Sequence, residues 1–311
     1  MAIIKIDGKP LEKLIEVISI GIGKLYRPKE IRKIADAEAY KIEVIEKAIA
    51  KSKVNSLEID FEYKQKIDSR IYHIEAKRQL NIENITYKVA EQLQNETHVS
   101  EENLDDDWIS RFFDTVQDIS NDDMQILWSR ILYGEIKRPK SFSLRTLEFL
   151  KNLSQDDAKL LKKISKFCLS ASNDNNFILY NPCHQLYTDK WDFTYREFLY
   201  LTELGILSPH EASYIIADKV MGSEIGFGHG NKAIIFKSEI DGLYFGINAT
   251  PFTKLGNELL RLIEKEVTED YLHEFIRIAL KNKQNVTVTL GIEVGEDNGE
   301  KLYDNFQPFK L

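Results

Sequence analysis

The carboxylates between residues 105 and 123 form the densest group of side chains that could take part in chemistry. Oxygen ligands are preferred by Mg²⁺, so one hypothesis is a metal-dependent nuclease. Its ligands would come from Asp105, Asp106, Asp107, Asp122 and Asp123. Helix capping explains these carboxylates more simply, because an acidic side chain before a helix accepts the unpaired N–H groups of its first turn. Asp106 or Asp107 would then cap one helix, and Ser120 with Asp123 would form a capping box on the next.

Other arrangements typical of catalysis or cofactor binding are incomplete. Cys183 and His184 stand next to each other, without further ligands at zinc spacing. The glycine-rich stretch GSEIGFGHGNK is followed by a strand-like segment, AIIFK, so no helix N-terminus would face a phosphate. It is more typical of a hairpin turn. We therefore predict no catalytic residue, no metal ligand and no cofactor, and the sequence favours a protein that is not an enzyme.

Charge is segregated along the middle of the chain. Residues 91–123 contain 11 acidic side chains and one basic one, whereas residues 130–166 contain 10 basic and four acidic ones. Four of these basic side chains, the basic strip, could contact phosphates or an acidic partner: Lys137, Arg138, Lys140 and Arg145. Solvated surface is the alternative, since charge runs usually face water. The net charge of −8 argues against a general polyanion binder.

Residues 11–26 offer a second candidate for contact with a membrane or a partner. Apolar side chains recur there at helical spacing: Leu11, Leu14, Ile15, Ile18, Ile22 and Leu25. A helix of this kind could lie in a membrane surface, but the charges on its other face are of both signs. Because soluble proteins rarely leave large apolar patches open, we predict that the stripe packs against the helix of residues 57–94, within one chain or across a homo-oligomer.

Length and composition indicate a soluble, multidomain protein. The chain has 311 residues, of which 43% are hydrophobic and 30% charged, enough for two or more domains. Two cysteines, no recognisable signal peptide and no apolar run near 20 residues favour the cytoplasm. A peripheral position at the inner membrane is left open by the stripe of residues 11–26.

The elements that would position these groups fall into three parts. Residues 1–100 read as an amphipathic helix followed by long helices at 29–51 and 57–94, a helical hairpin or coiled-coil arm. Residues 101–170 read as a central helical domain. In residues 171–311, a helix at 195–204, a hairpin and a further helix resemble a winged-helix domain. The expected fold class is therefore α+β, predominantly α: an N-terminal helical hairpin or bundle followed by a winged-helix-like domain.

Three pieces of the central region resemble a bacterial family known only as a domain of unknown function. They read DDDW-x-x-x-FF, ISNDDMQ-x-LWSRIL-x-GEI-x-x-P and SFSLRTLEFLKNLS. The piece LYRPKEIRKIADAEA resembles the same family and, more distantly, the abortive-infection alpha family of phage-defence proteins. The resemblance implies no catalytic residues. The usual Pro-Gly before the serine is Pro139-Lys140 here, which argues against a tight turn.

The resemblance and the composition together predict a non-enzymatic bacterial protein of the phage-defence, abortive-infection type. It would act through protein–protein or membrane-surface contacts, with a protein partner or self-association expected. One alternative is a winged-helix nucleic-acid-binding regulator, although Glu197 and Glu203 beside Arg196 on the presumed recognition helix disfavour DNA. A metal-dependent nuclease using the acidic cluster ranks third.

Overall fold

A computed structural model describes most of the chain. It covers residues 8–22, 61–94, 96, 98–171, 175–179, 185–209, 212–218, 224–238, 243–263, 266–281, 285–297 and 300–309. The chain divides into two compact units, Met1–Leu147 and Glu148–Leu311. The division at residues 100 and 170 stays a prediction, and the predicted helix at 29–51 lies outside the described residues.

The first unit is helical in the part that the structure describes. Its helices are α1 (Lys9–Gly21), α2 (Phe61–Leu93), α3 (Asp106–Val116), α4 (Asp122–Lys137) and the start of α5 (Leu144–Lys151). Helix α2 packs along α4, and α1 contacts α2, α3 and α4. Within the described residues, the part of the stripe that lies in α1 is therefore on a helix that contacts the predicted 57–94 helix in the same chain, and that contacts α3 as well.

Aromatic side chains form the core of this unit. Trp128 of α4 is fully buried, with its ring 5.7 Å from that of Phe112 on α3. The Trp108 ring stacks on Phe112 at 5.3 Å. The apolar spacing of both helices predicts that Trp128 packs near Trp108 or Phe112, and the ring distances confirm it.

Helix caps in the first unit differ from the predicted ones by one or two residues. Asp105, and neither Asp106 nor Asp107, caps α3 by accepting a hydrogen bond from the Trp108 N–H at 2.8 Å. Asn121 caps α4, accepting from the Met124 N–H at 3.0 Å. Neighbouring Asp, Asn and Ser side chains all cap well, so the sequence alone does not decide among them.

The second unit combines helices with an antiparallel sheet. Its helices are α6 (Gln155–Ser165), α7 (Gln185–Trp191), α8 (Tyr195–Glu203), α9 (Lys254–Leu260) and α10 (Glu269–Ala279). Its strands are β1 (Leu169–Ala171), β2 (Asn175–Leu179), β3 (Ala212–Asp218), β4 (Glu224–His229), β5 (Lys232–Ser238), β6 (Leu243–Pro251), β7 (Val286–Asp297) and β8 (Glu300–Pro308). The strand order is β3-β6-β2-β1-β4-β5-β7-β8.

This sheet overturns the expected winged-helix domain and the helix-dominated fold class. The predicted hairpin of the glycine-rich stretch forms as β4 and β5. However, β1 pairs with β4 and β7 pairs with β5, so the hairpin lies inside an eight-stranded sheet. Local sequence pattern predicts strands and tight turns, whereas pairing between distant strands depends on the whole chain. The sheet is thus a major part of the second unit.

Helix α10 supplies much of the core against this sheet. The ring of Phe275 lies 5.1 Å from that of Phe227 on β4 and 6.0 Å from that of Phe236 on β5. All three side chains are buried. The alternation of apolar residues along β4 and β5 puts Phe227 and Phe236 on one face of the sheet, where they pack against Phe275 of the helix.

Candidate functional site

Two carboxylates of the acidic cluster have structural roles. Asp105 caps α3, as described above, and Asp122 forms an ion pair with Lys88 of α2 at 2.9 Å. Within the described ranges, no three His, Cys, Asp or Glu side chains come together in a way that could hold a metal ion. Cys183 and His184 lie outside those ranges.

A buried carboxylate holds the turn after α4. Glu135 is 3% exposed and accepts hydrogen bonds from the N–H groups of Lys140 at 2.5 Å and Phe142 at 2.9 Å. Lys140 adopts φ 67°, the left-handed conformation that glycine prefers. The chain therefore turns at Pro139-Lys140, although the lysine in place of the usual glycine argues against a tight turn. The two hydrogen bonds from the turn to Glu135 hold the lysine in this strained conformation.

Other residues of the family-like pieces pack or bridge helices. Gly134 lies against the Phe142 ring, which a β-carbon there would approach to 2.9 Å. Gln125 donates to the Ile119 carbonyl at 3.0 Å, and Ser129 accepts from Gln92 of α2 at 2.9 Å. These contacts give Gly134, Gln125 and Ser129 structural roles, because the two polar side chains are hydrogen-bonded and the glycine leaves room for a buried ring.

The basic strip is partly neutralised. Lys137 pairs with Glu96 at 3.3 Å, and Lys140 pairs with Glu102. Arg138 and Arg145 are exposed. Two of the four cations thus face carboxylates, which lowers the positive potential that would attract phosphate.

Glu96 contacts both Lys137 of the basic strip and the side chain of Tyr133. The Tyr133 hydroxyl donates a hydrogen bond to the same Glu96 oxygen that Lys137 approaches. Burial, together with this carboxylate, raises the pKa of Tyr133 to about 12. The Tyr133 hydroxyl therefore stays protonated and acts as a donor at neutral pH.

The apolar stripe of α1 is divided between core and surface. Leu14 is buried, Leu11, Ile18 and Ile22 are half-buried, Ile15 is exposed, and Leu25 lies outside the described residues. A β-carbon at Gly21 would come within 2.0 Å of the Phe113 ring, so glycine allows α1 to approach α3 closely. Lys13 also donates to the carbonyls of Ser100 and Glu102. The described part of the stripe packs mainly within its own unit.

In the second unit, a groove of about 480 Å³ lies between α6 and α8. Ser154 and Asp157 form a capping box at the start of α6, and Thr194 and Glu197 form one at the start of α8. The second oxygen of each carboxylate bonds the opposite helix. The Tyr200 hydroxyl donates to Asp157 and the Lys163 ammonium donates to Glu197, both at 2.8 Å.

The electrostatics of this groove indicate a structural tie between two helices. The hydrogen bond from the Ser154 side chain holds the pKa of Asp157 below its usual value. Burial acts to raise the pKa of Glu197, but hydrogen bonds from Lys163 and Thr194 outweigh it and lower the pKa. Both groups are ionised acceptors at neutral pH with their oxygens engaged, so neither is poised as a general acid.

A buried polar network also lies in the second unit. The Thr268 N–H donates to His229 Nε2 at 3.0 Å, so the ring proton is on Nδ1 and faces the Cys168 carbonyl at 3.0 Å. The Tyr187 hydroxyl donates to the Leu179 carbonyl at 2.6 Å and lies 3.1 Å from that of Tyr271. These groups satisfy one another, which is typical of a core.

The exposed N-terminal half of α2 is a further surface with a distinctive pattern, and we define it as the α2 arm, residues 65–77. Ile71 is 39% exposed, Tyr72 69% and Ile74 42%. The C-terminal half of the same helix is buried through Ile85, Val89 and other apolar residues. The predicted coiled-coil arm therefore consists of a packed half and a half whose apolar side chains face solvent.

Arg78 and Asn81 mark the point where α2 leaves its neighbours. The Arg78 guanidinium bonds Asp118 at 2.9 Å, and the Asn81 side chain donates to the Gln117 carbonyl at 2.8 Å. The apolar repeat was recognisable in the sequence, but the arm was not identified as a surface. The sequence does contain a feature that marks the arm. Two polar residues, Arg78 and Asn81, interrupt the apolar repeat where α2 begins to contact the rest of the first unit.

Comparisons with known proteins identify the family of the chain, and that family has no known function. No described helix is both long enough and apolar enough to cross a membrane. No curated protein and no solved structure matches the chain. The model of one family, a protein of unknown function (DUF2806), matches residues 65–276, from the start of the α2 arm to α10. The chain belongs to this family.

Proposed function

We propose that this protein acts through protein contacts made by the α2 arm, in a bacterial phage-defence role. The exposed apolar stripe of the arm supports the contact function most directly. Ile71 and Ile74 continue the apolar repeat of a helix whose other half is buried, yet they face solvent. Neighbouring isoleucines that are exposed along one face of a helix favour a site for another protein.

The defence role rests on the resemblance of residues 25–39 to the abortive-infection alpha family. These residues lie outside the described part of the chain. Phage challenge of cells that express the protein tests this role directly. Plaque counts on cells with and without the protein would differ if it protects, and equal counts with a fully expressed protein would refute the defence role.

Substitutions on the arm test the contact surface. Ile71→Asp with Ile74→Asp introduces two charges into the stripe, and we expect the variant to lose protection because a desolvated apolar contact no longer forms. Ser69→Asp with Ala76→Asp is the matched control, since both residues are exposed on the opposite side of the helix. The control should protect like the wild type.

Melting curves of both variants complete the experiment. Since all four side chains are on the surface, we expect both variants to fold. Full protection by the Ile71→Asp, Ile74→Asp variant would contradict the assignment of the arm as the contact surface.

A further inference from the structure

The apolar residues of the α2 arm follow the spacing of a coiled-coil seam. Ile67, Ile71 and Ile74 are separated by four and then three residues, which corresponds to heptad positions d, a and d. The next a and d positions hold Arg78 and Asn81, and both bond residues of the same unit. The seam is thus confined to the arm.

The charges beside this seam are sorted by sign. Positions e hold Asp68 and Glu75, and positions g hold Arg70 and Lys77. All four side chains are exposed. One flank of the seam is therefore acidic and the other basic, and residues at e and g set the orientation and the partner in coiled coils.

This arrangement distinguishes parallel from antiparallel pairing with an identical helix. In a parallel pair, position g faces position e of the next heptad, which brings Arg70 of one copy to Glu75 of the other. In an antiparallel pair, g faces g and e faces e, so Arg70 would meet basic side chains and Glu75 acidic ones. Like charges in contact are unfavourable, and the parallel arrangement is the complementary one.

We infer that the stripe of the α2 arm is covered by another copy of this chain, with the α2 helices parallel and in register. The inference rests on the proposed function, because it names the partner of the same surface. Glu75 already accepts from Arg78 of its own helix through Oε1 at 3.3 Å. That contact is half-exposed, and Oε2 can accept Arg70 of the other copy.

A charge-reversal cycle on the full chain tests this pairing. The mass of the wild type is measured by sedimentation over a concentration series, together with Arg70→Glu, Glu75→Arg and the double variant. Each single change turns the attraction into repulsion at every symmetric contact, so we expect association to weaken roughly tenfold. The double variant restores an opposite-charge contact between positions 70 and 75 of the two copies, with the two signs exchanged, and should recover the wild-type association.

Recovery in the double variant is diagnostic of self-pairing. A different protein bound at the arm would keep its own charges and would not compensate both reversals. Ser69→Asp with Ala76→Asp is again the control, and its mass should match the wild type. Circular dichroism of each variant confirms that the helix content is unchanged.

Two results would overturn the inference. The first is a monomeric wild type at all concentrations, with a lower melting temperature in Ile71→Asp, which would mean that the same chain covers the stripe. The second is association that is unaffected by the single reversals or not recovered in the double variant. If either result were found and the Ile71→Asp, Ile74→Asp variant still lost protection, the arm would remain the proposed contact surface. Its partner would then be a protein other than a second copy of this chain.

Discussion

Two buried tryptophans of the first unit differ in one hydrogen bond. Trp108 Nε1 donates to the Phe142 carbonyl at 2.7 Å. Trp128 Nε1 is buried and has no hydrogen-bond acceptor in the described structure. A buried polar atom that loses its partner costs about 1–3 kcal/mol, whereas removal of an unpaired donor relieves such a cost.

We therefore expect Trp108→Phe to destabilise the protein more than Trp128→Phe, by about 1–3 kcal/mol. Both changes remove a similar volume from the same core, so each serves as the control for the other. Urea unfolding of the two variants measures the difference. A larger loss for Trp128→Phe would mean that its indole N–H has a partner.

His229 should make the stability of the second unit depend on pH. Burial lowers the pKa of His229 below its usual 6.5, and the neutral ring satisfies both Thr268 and Cys168. The unfolded chain takes up the proton first as the pH falls. Stability is therefore complete above about pH 6.5 and decreases as the pH falls from there through the folded pKa.

The matched variant for this prediction is His229→Gln, which keeps a donor and an acceptor but does not titrate. We expect the wild type to lose of the order of 1 kcal/mol more than the variant between pH 7.5 and pH 5.5. Urea unfolding at the two pH values gives both losses. Equal losses would show that the pKa of His229 does not differ between the folded and unfolded states.

At the scale of the element, the turn after α4 stores backbone strain. Lys140 has φ 67°, which is unfavourable for a residue with a β-carbon. Glycine adopts this conformation freely, so Lys140→Gly should raise the melting temperature of the first unit by roughly 2–4 °C. Lys140→Ala is the control, since it loses the same exposed contact with Glu102 but keeps the strain.

Calorimetry of the two variants separates the backbone from the side chain. Lys140→Ala should melt at or slightly below the wild type. If both variants shifted together, the side chain and not the conformation would be responsible.

Individual elements were predictable where a short stretch determines them. Apolar spacing and caps indicate helices α3, α4, α6 and α8. The glycine-rich stretch indicates the β4–β5 hairpin, and Gly230 in its turn adopts φ 60°. The sequence pattern does not indicate strand β8, because its polar and apolar residues do not alternate cleanly. The pairing of β7 with β8 is also irregular, with register shifts between Leu290 and Ile292 and between Glu293 and Gly295 of β7.

The order of the strands could not be predicted from the same patterns. Strand β6 pairs with both β2 and β3, and β1 separates β2 from β4. Such pairings join segments far apart in sequence, and many orders satisfy the same alternation. The α2 arm was likewise only partly predictable. The apolar repeat of α2 is visible in the sequence, but the exposure of the arm depends on where the other helices of the unit end.

At the scale of the whole molecule, charge argues against binding of nucleic acid. The net charge is −8, and two of the four cations of the basic strip face Glu96 and Glu102. Phosphate binding releases counterions and weakens steeply with salt. We expect no salt-sensitive binding of duplex DNA by the wild type at about 150 mM salt, measured by fluorescence anisotropy.

The paired carboxylates offer a positive control for this expectation. Glu96→Gln with Glu102→Gln removes the negative charges that face Lys137 and Lys140, so this variant should bind duplex more tightly than the wild type at low salt, with a steeper salt dependence. Arg138→Glu with Arg145→Glu in that background should abolish the gain, because both arginines are exposed on the same strip. Tight, salt-sensitive binding by the wild type, lost in Lys137→Glu with Arg138→Glu, would instead identify phosphate as a ligand of the strip.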